Sequence, residues 1–150
     1  MAEAIAKELA IRKNETDEPI ETLYFGGGTP SILDTSDIGM LIDEIRNQYQ
    51  LDRNAEITLE ANPDDISPAK ASDWKKIGIN RFSIGIQSFS DASLEWMNRA
   101  HHGQQARDCI QIIREAGFDN FSIDLIYGTP GQTAEGWEND LDEALSLIHI

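Results

Sequence analysis

One cysteine in the whole chain, Cys109, leaves no partner for an internal disulfide and excludes any multi-cysteine metal site built by these residues alone. Basic residues are also scarce. Twelve Lys and Arg stand against 27 Asp and Glu, a formal charge of −15. That field repels phosphate backbones and anionic lipid, which argues against nucleic acid or a membrane surface as partner. No apolar run in the sequence approaches the ~20 residues of a transmembrane helix. The opening Met1–Glu8 has no basic region before an apolar stretch, so no signal peptide is expected. These absences point to an acidic cytoplasmic protein.

What is present suits one globular domain. The 150 residues are 40% hydrophobic, with apolar residues spread along the chain rather than confined to one part. A chain of this size can bury roughly two-thirds of its unfolded surface.

Helical and extended patterns alternate. Ala2–Lys13 places Ile5, Ala6 and Leu9 on one side at helical spacing, without a capping residue ahead of it. Glu21–Phe25 is a β-rich run stopped by Gly26-Gly27-Gly28. Thr35-Ser36-Asp37 starts a helix carrying Ile38, Leu41, Ile42 and Ile45. Ile57–Glu60 is a second short strand. Ser67-Pro68 caps a helix that Gly78 ends, and Arg81–Gln87 is a third strand. A helix is expected from Ser90 to about Arg99, and another from Gln104 to Ala116. Phe121–Tyr127 is the fourth strand. Thr133 caps a last helix with Trp137, Leu141 and Leu145 along its stripe. Such alternation specifies an α/β fold with a parallel sheet. The strand ends Phe25, Leu59, Ile86 and Leu125 lie 27 to 39 residues apart. These lengths fit βα units of a barrel or of an open doubly wound sheet.

Each strand finishes in polar or glycine residues, and parallel α/β folds bind ligands beyond the carboxyl ends of their strands. Gly26-Gly27-Gly28-Thr29-Pro30 suits close backbone approach by a ligand, though a tight turn uses the same residues. It matches neither the dinucleotide fingerprint nor the phosphate loop. Glu60 stands at the second tip and Gln87 at the third. Asp124 lies among Ile123, Leu125 and Ile126, where an unpaired buried carboxylate would cost several kcal/mol. It is expected to face the mouth of the sheet or a cation. Arg99 has a structural reading at a helix end, where a cation suits the dipole. His101 and His102 read as surface loop rather than metal ligands, and no metal-binding residue is assigned. Cys109 and the tryptophans Trp74, Trp96 and Trp137 read as packing residues.

Four runs in order carry a resemblance: Tyr24-Phe25-Gly26-Gly27-Gly28-Thr29-Pro30-Ser31, Leu59-Glu60-Ala61-Asn62-Pro63, Ser83-Ile84-Gly85-Ile86-Gln87-Ser88-Phe89, and Ile123-Asp124-Leu125-Ile126-Tyr127-Gly128-Thr129-Pro130-Gly131. Together they resemble the radical S-adenosylmethionine (SAM) domain of the oxygen-independent coproporphyrinogen III oxidase family, over nearly the whole chain. Glu60–Pro63, Gln87–Phe89 and Arg99–His102 look most like its HemW-type haem-chaperone branch. The resemblance implies a partial TIM-type (β/α)6 radical SAM barrel, here about four parallel strands with intervening helices. It implies SAM, and a [4Fe-4S] cluster held by three cysteines spaced Cys-x-x-x-Cys-x-x-Cys. That cysteine loop is absent here. Residues 1 to 13 resemble the helix that follows it, the last barrel units and C-terminal domain are missing, and residues 147–150 only loosely resemble the next strand. The expectation is thus that residues 1–150 are a core fragment of a longer parent, inactive alone.

By the same resemblance, Gly27, Gly28 and Thr29 would line SAM. Glu60 would accept from its amine or a ribose hydroxyl. Gln87, Arg99 and Asp124 would complete the pocket, Arg99 facing a carboxylate and Asp124 a hydroxyl or cation. The implied function is a haem chaperone that binds haem and delivers it to haem proteins, served by an electron donor. The alternative is the oxidase, which decarboxylates the porphyrinogen substrate to protoporphyrinogen IX through a 5′-deoxyadenosyl radical.

Overall fold

A computed structural model describes residues 1–148. Its elements follow in chain order: α1 (Ala2–Arg12), β1 (Ile20–Phe25), α2 (Thr35–Gln48), β2 (Leu51–Ala61), α3 (Pro68–Ile77), β3 (Arg81–Gln87), α4 (Asp91–Trp96), α5 (Gly103–Glu115), β4 (Phe121–Leu125) and α6 (Ala134–Leu147). Single turns of 3-10 helix, Pro30–Ile32 and Pro63–Asp65, follow the first two strand tips. The four strands form one sheet in the order β1-β2-β3-β4, every neighbouring pair parallel.

Strand side chains alternate between faces, and here the two faces differ in chemistry. Ile57, Leu59, Ala61, Phe82, Ile84 and Ile86 point into a buried core. Ile38 and Ile42 of α2, Trp74 of α3, Ile110 and Ile113 of α5, and Ala144 of α6 close that core from the same side. Trp74, Phe82 and Phe118 meet edge to face, with centroids 5.6 and 4.7 Å apart. The opposite face carries Tyr24, Thr58, Glu60, Arg81, Ser83, Ser122 and Asp124, which the register sets side by side. A doubly wound sheet would be apolar on both faces with helices over each. Apolar-out and polar-in is the pattern of a barrel segment, which decides between the two architectures left open by the strand spacing.

Several boundaries differ from the sequence pattern. β2 begins at Leu51, six residues before Ile57, because Leu51 pairs with Ile20 across a register shift. β4 stops at Leu125, two residues early, although Ile126 N still donates to Gln87 O at 2.8 Å. α4 ends at Trp96. Asn98 turns left-handed (φ 52°) and Arg99 N closes back on Leu94 O at 2.9 Å, so Arg99 lies beyond the helix and has no dipole role within it. In α6 the stripe is reversed. Asp140 and Ala144 are buried, whereas Leu141 and Leu145 are exposed and Trp137 meets Tyr127 at the surface. Trp96 is likewise exposed, not packed. His101 is buried rather than in a surface loop, and His102 is the N-cap of α5, its Nδ1 accepting from Gln105 N at 3.3 Å. Leu147 belongs to α6, while His149 and Ile150 lie outside the described residues.

Candidate functional site

Parallel strands all run the same way, so their four carboxyl ends meet at one rim. A cleft of about 240 Å3 opens there, lined by Gly28, Thr29, Glu60, Asn62, Ser83, Gly85, Gln87, Arg99 and Asp124 among others. Six of the seven residues singled out from sequence therefore share one cavity. The seventh, Gly27, borders it through its backbone, with Gly27 N donating to Glu60 Oε2 at 3.1 Å. Gly27 and Gly28 have φ of 80° and 70°, values that side-chain-bearing residues rarely adopt. That geometry turns the β1 tip back over Glu60.

Glu60 also accepts from the Tyr24 hydroxyl at 2.7 Å. This hydrogen bond, with some burial and the carboxylate charge, holds the Tyr24 phenol above its ordinary pKa. Across the cleft, Ser83 Oγ donates to Asp124 Oδ2 at 3.3 Å. A carboxylate has about four acceptor positions, so both groups keep capacity for a ligand. Arg99 Nη2 donates to Asn62 Oδ1 at 2.7 Å and to Gly85 O at 3.4 Å, which aims the guanidinium into the cleft. Gly85 is closely approached by side chains. A Cβ there would lie 2.7 Å from Gln87 Nε2 and 3.5 Å from both Arg99 Nη2 and Asn62 Oδ1.

Tyr24, Asn62, Ser83 and Gly85 were not singled out from sequence. Their signal was the period-two alternation of strand residues, which puts Tyr24, Ser83 and Gly85 on the face of Asp124. Two buried groups behind the cleft also escaped. Asp140 offered only a helical acidic residue. His101 offered only a histidine pair in a loop.

The donor set fits SAM. That molecule carries an ammonium, a carboxylate, ribose hydroxyls and a sulfonium cation. The cleft offers two carboxylates, a guanidinium, two carboxamides and a left-handed glycine turn. The residues do not fit an iron–sulfur cluster, which needs accessible thiolates. Cys109 is buried in α5, its Sγ donates to Ala106 O at 3.1 Å, and burial pushes its thiol up to about 12. Among the described residues no group of three or more His, Cys, Asp or Glu could hold a metal ion.

The fold is thus a parallel α/β barrel segment, apolar towards its helices, with a polar cleft at its strand tips. Residues 2–144 match the Radical SAM superfamily, and the chain belongs to that family. It is 39% identical over 130 residues to the haem chaperone HemW of Lactococcus lactis, covering 87% of this chain and 34% of that protein. To HemW of Bacillus subtilis it is 37% identical over 146 residues, 96% of this chain and 38% of the relative. Among solved structures, the radical SAM enzyme coproporphyrinogen III oxidase (HemN) of Escherichia coli superposes with a TM-score of 0.88 at 31% identity, over 97% of this chain and 34% of that one. The chain thus spans about a third of the length of the relatives it matches. No described helix is long and apolar enough to cross a membrane.

Proposed function

We propose that this chain is the SAM-binding core of a haem chaperone, which binds haem and passes it to haem-accepting proteins. The observation that carries this reading is 37–39% identity to bacterial haem chaperones across most of the chain. The cleft supports the cofactor assignment. In the proposal, residues 1–150 contribute the pocket, and the cluster's cysteines and a C-terminal domain belong to a longer parent.

Each residue then has a distinct task. Arg99, held by Asn62, receives the ligand carboxylate. Glu60, fixed by Tyr24 and Gly27, accepts from the ligand ammonium or a ribose hydroxyl. Asp124 takes a second hydroxyl and balances positive charge, while Gln87 and Thr29 close the sides and Gly28 admits the ligand to backbone distance. When bound, SAM supplies a sulfonium that one-electron reduction can cleave, and an electron donor would be the partner for that step. The proposed site of action is the cytoplasm.

A second reading, the porphyrinogen oxidase, is favoured by the close superposition on HemN. One anaerobic experiment separates them. The full-length protein with its cluster is incubated with haem and a haem-free acceptor, and separately with coproporphyrinogen III, SAM and a reductant. Haem transfer without protoporphyrinogen IX supports the chaperone. Conversion to protoporphyrinogen IX overturns it in favour of the oxidase.

A further inference from the structure

Gln87 sits in the cleft at φ 67°, a left-handed conformation for a residue with a Cβ. Such a conformation is strained and persists only where its surroundings enforce it. The strand register also shifts at this point, between Ile84 and Gln87. Something must therefore hold the tip of β3 in place.

The ties come from behind the cleft. His101 Nε2 lies 3.0 Å from Ile86 O, immediately before Gln87. Ile126 N donates to Gln87 O at 2.8 Å. Immediately after Gln87, the buried carboxylate of Asp140 takes both following residues. Ser88 Oγ donates to Asp140 Oδ2 at 2.7 Å and Phe89 N donates to Oδ1 at 2.9 Å. Gln132 Nε2 adds a longer bond to Asp140 Oδ2 at 3.5 Å. Gln132 Oε1 in turn accepts from Gly128 N at 2.7 Å, so the same carboxylate braces the loop that follows β4.

A buried carboxylate is unfavourable without partners, yet α6 places one at its inner face beside Ala144. Every donor it meets belongs to one of two strand-tip loops. We propose that Asp140 is a positioning residue for the cofactor pocket: it locks the Gln87-Ser88-Phe89 turn so that the Gln87 carboxamide stays aimed across Gly85 at the ligand. It does not touch the ligand itself. This rests on the reading that Gln87 lines the SAM pocket.

The test is a double-mutant cycle in the full-length protein with its cluster, read as the dissociation constant of SAM. Gln87→Ala alone is expected to weaken binding about tenfold, and Asp140→Asn by a comparable factor. The double variant is expected to bind no worse than Gln87→Ala, because residues acting through one another are not additive. A second readout needs no cofactor. Hydrogen exchange at the Phe89 amide should quicken in Asp140→Asn. Full additivity of the two losses, or unchanged binding and exchange in Asp140→Asn, overturns the positioning role. Unchanged binding in Gln87→Ala overturns the pocket reading itself, and the role falls with it. Should Asp140→Asn fail to fold, Ser88→Ala carries the same cycle, since it leaves Asp140 its bonds to Phe89 and Gln132.

Discussion

Asp124 and Asp119 differ by five positions and by everything that surrounds them. Asp124 stands on the polar face beside Ser83 and lines the cleft, whereas Asp119 is exposed in the loop before β4. Asp124→Ala in the full-length protein should weaken SAM binding by about 1–3 kcal/mol, the worth of a hydrogen bond to a polar ligand group, and Asp119→Ala by almost nothing. Calorimetric titration of both variants checks this, and equal effects would remove Asp124 from the pocket. Gly85→Ala tests the crowding around Gln87. Its Cβ would displace a flexible carboxamide end rather than backbone. The variant should fold with near-parental stability and lose about tenfold in SAM affinity, roughly one hydrogen bond.

His101 supplies a pH prediction. Burial pushes its pKa below the ordinary imidazole value, and Arg99 and His102 push the same way. The Ile86 hydrogen bond and Asp64 oppose them without prevailing. Its folded-state pKa is therefore depressed, and the unfolded chain takes up the proton first as pH falls. The neutral side chain's stabilisation is complete above about pH 6.5 and is lost as pH falls below that towards the folded pKa. Thermal unfolding midpoints of the protein should decline over that interval. His101→Gln should decline less steeply, because the depressed imidazole is then absent.

At the scale of elements, α6 shows how an amphipathic pattern can mislead. Its large residues Trp137, Leu141 and Leu145 share a stripe, but the buried positions are Asp140 and Ala144, with Leu147 packed against the core one turn on. Ala144, also buried, leaves room beside Asp140, which reaches Ser88 and Phe89. Ala144→Leu should therefore cost about 1–3 kcal/mol by overpacking. Leu145→Ala, at a position 65% exposed, should change stability by less than about 0.5 kcal/mol, as surface substitutions do. Urea denaturation of the pair decides it, and the reverse order would mean the helix is rotated. The caps of α3 behave as written in the chain: Ser67 Oγ accepts from Lys70 N at 3.3 Å, Pro68 takes the first turn and Gly78 ends it.

For the whole molecule, the open edges dominate. Among the described residues, β1 and β4 each pair on one side only. Unpaired edge strands are templates for association. The outer stripe of α6 adds exposed apolar surface together with Ile126 and Tyr127, and Ile5 of α1 is 41% exposed. Each poorly buried large side chain forgoes about 1.5–3 kcal/mol, against a total stability of about 5–15 kcal/mol. The 150-residue chain expressed alone should accordingly unfold broadly or associate, despite its charge of −15. Calorimetry checks this. A sharp, reversible transition of the monomer above about 60 °C, high for a mesophile domain, would show that these residues suffice as a domain.

The order of elements, the parallel α/β class and the strand-tip residues were all legible in the chain itself. Local chemistry sets them. Periodicity, caps, glycine stops and the rule that parallel strands end on one rim act over a few residues each. That is why Gly28, Thr29, Glu60, Gln87 and Asp124 stood out at the strand tips before any coordinates, whereas Arg99 was named only through the family resemblance; all six line one cleft. Which face of α6 turns inward, that His101 is buried, that Arg99 lies past its helix, and that Asp140 holds the turn after Gln87 were decided only in three dimensions. Each of these depends on partners far along the chain: Asp140 on Ser88, His101 on Ile86, Arg99 on Asn62. A buried polar group becomes affordable only when its distant donors or acceptors arrive with it, and no local pattern records that arrival.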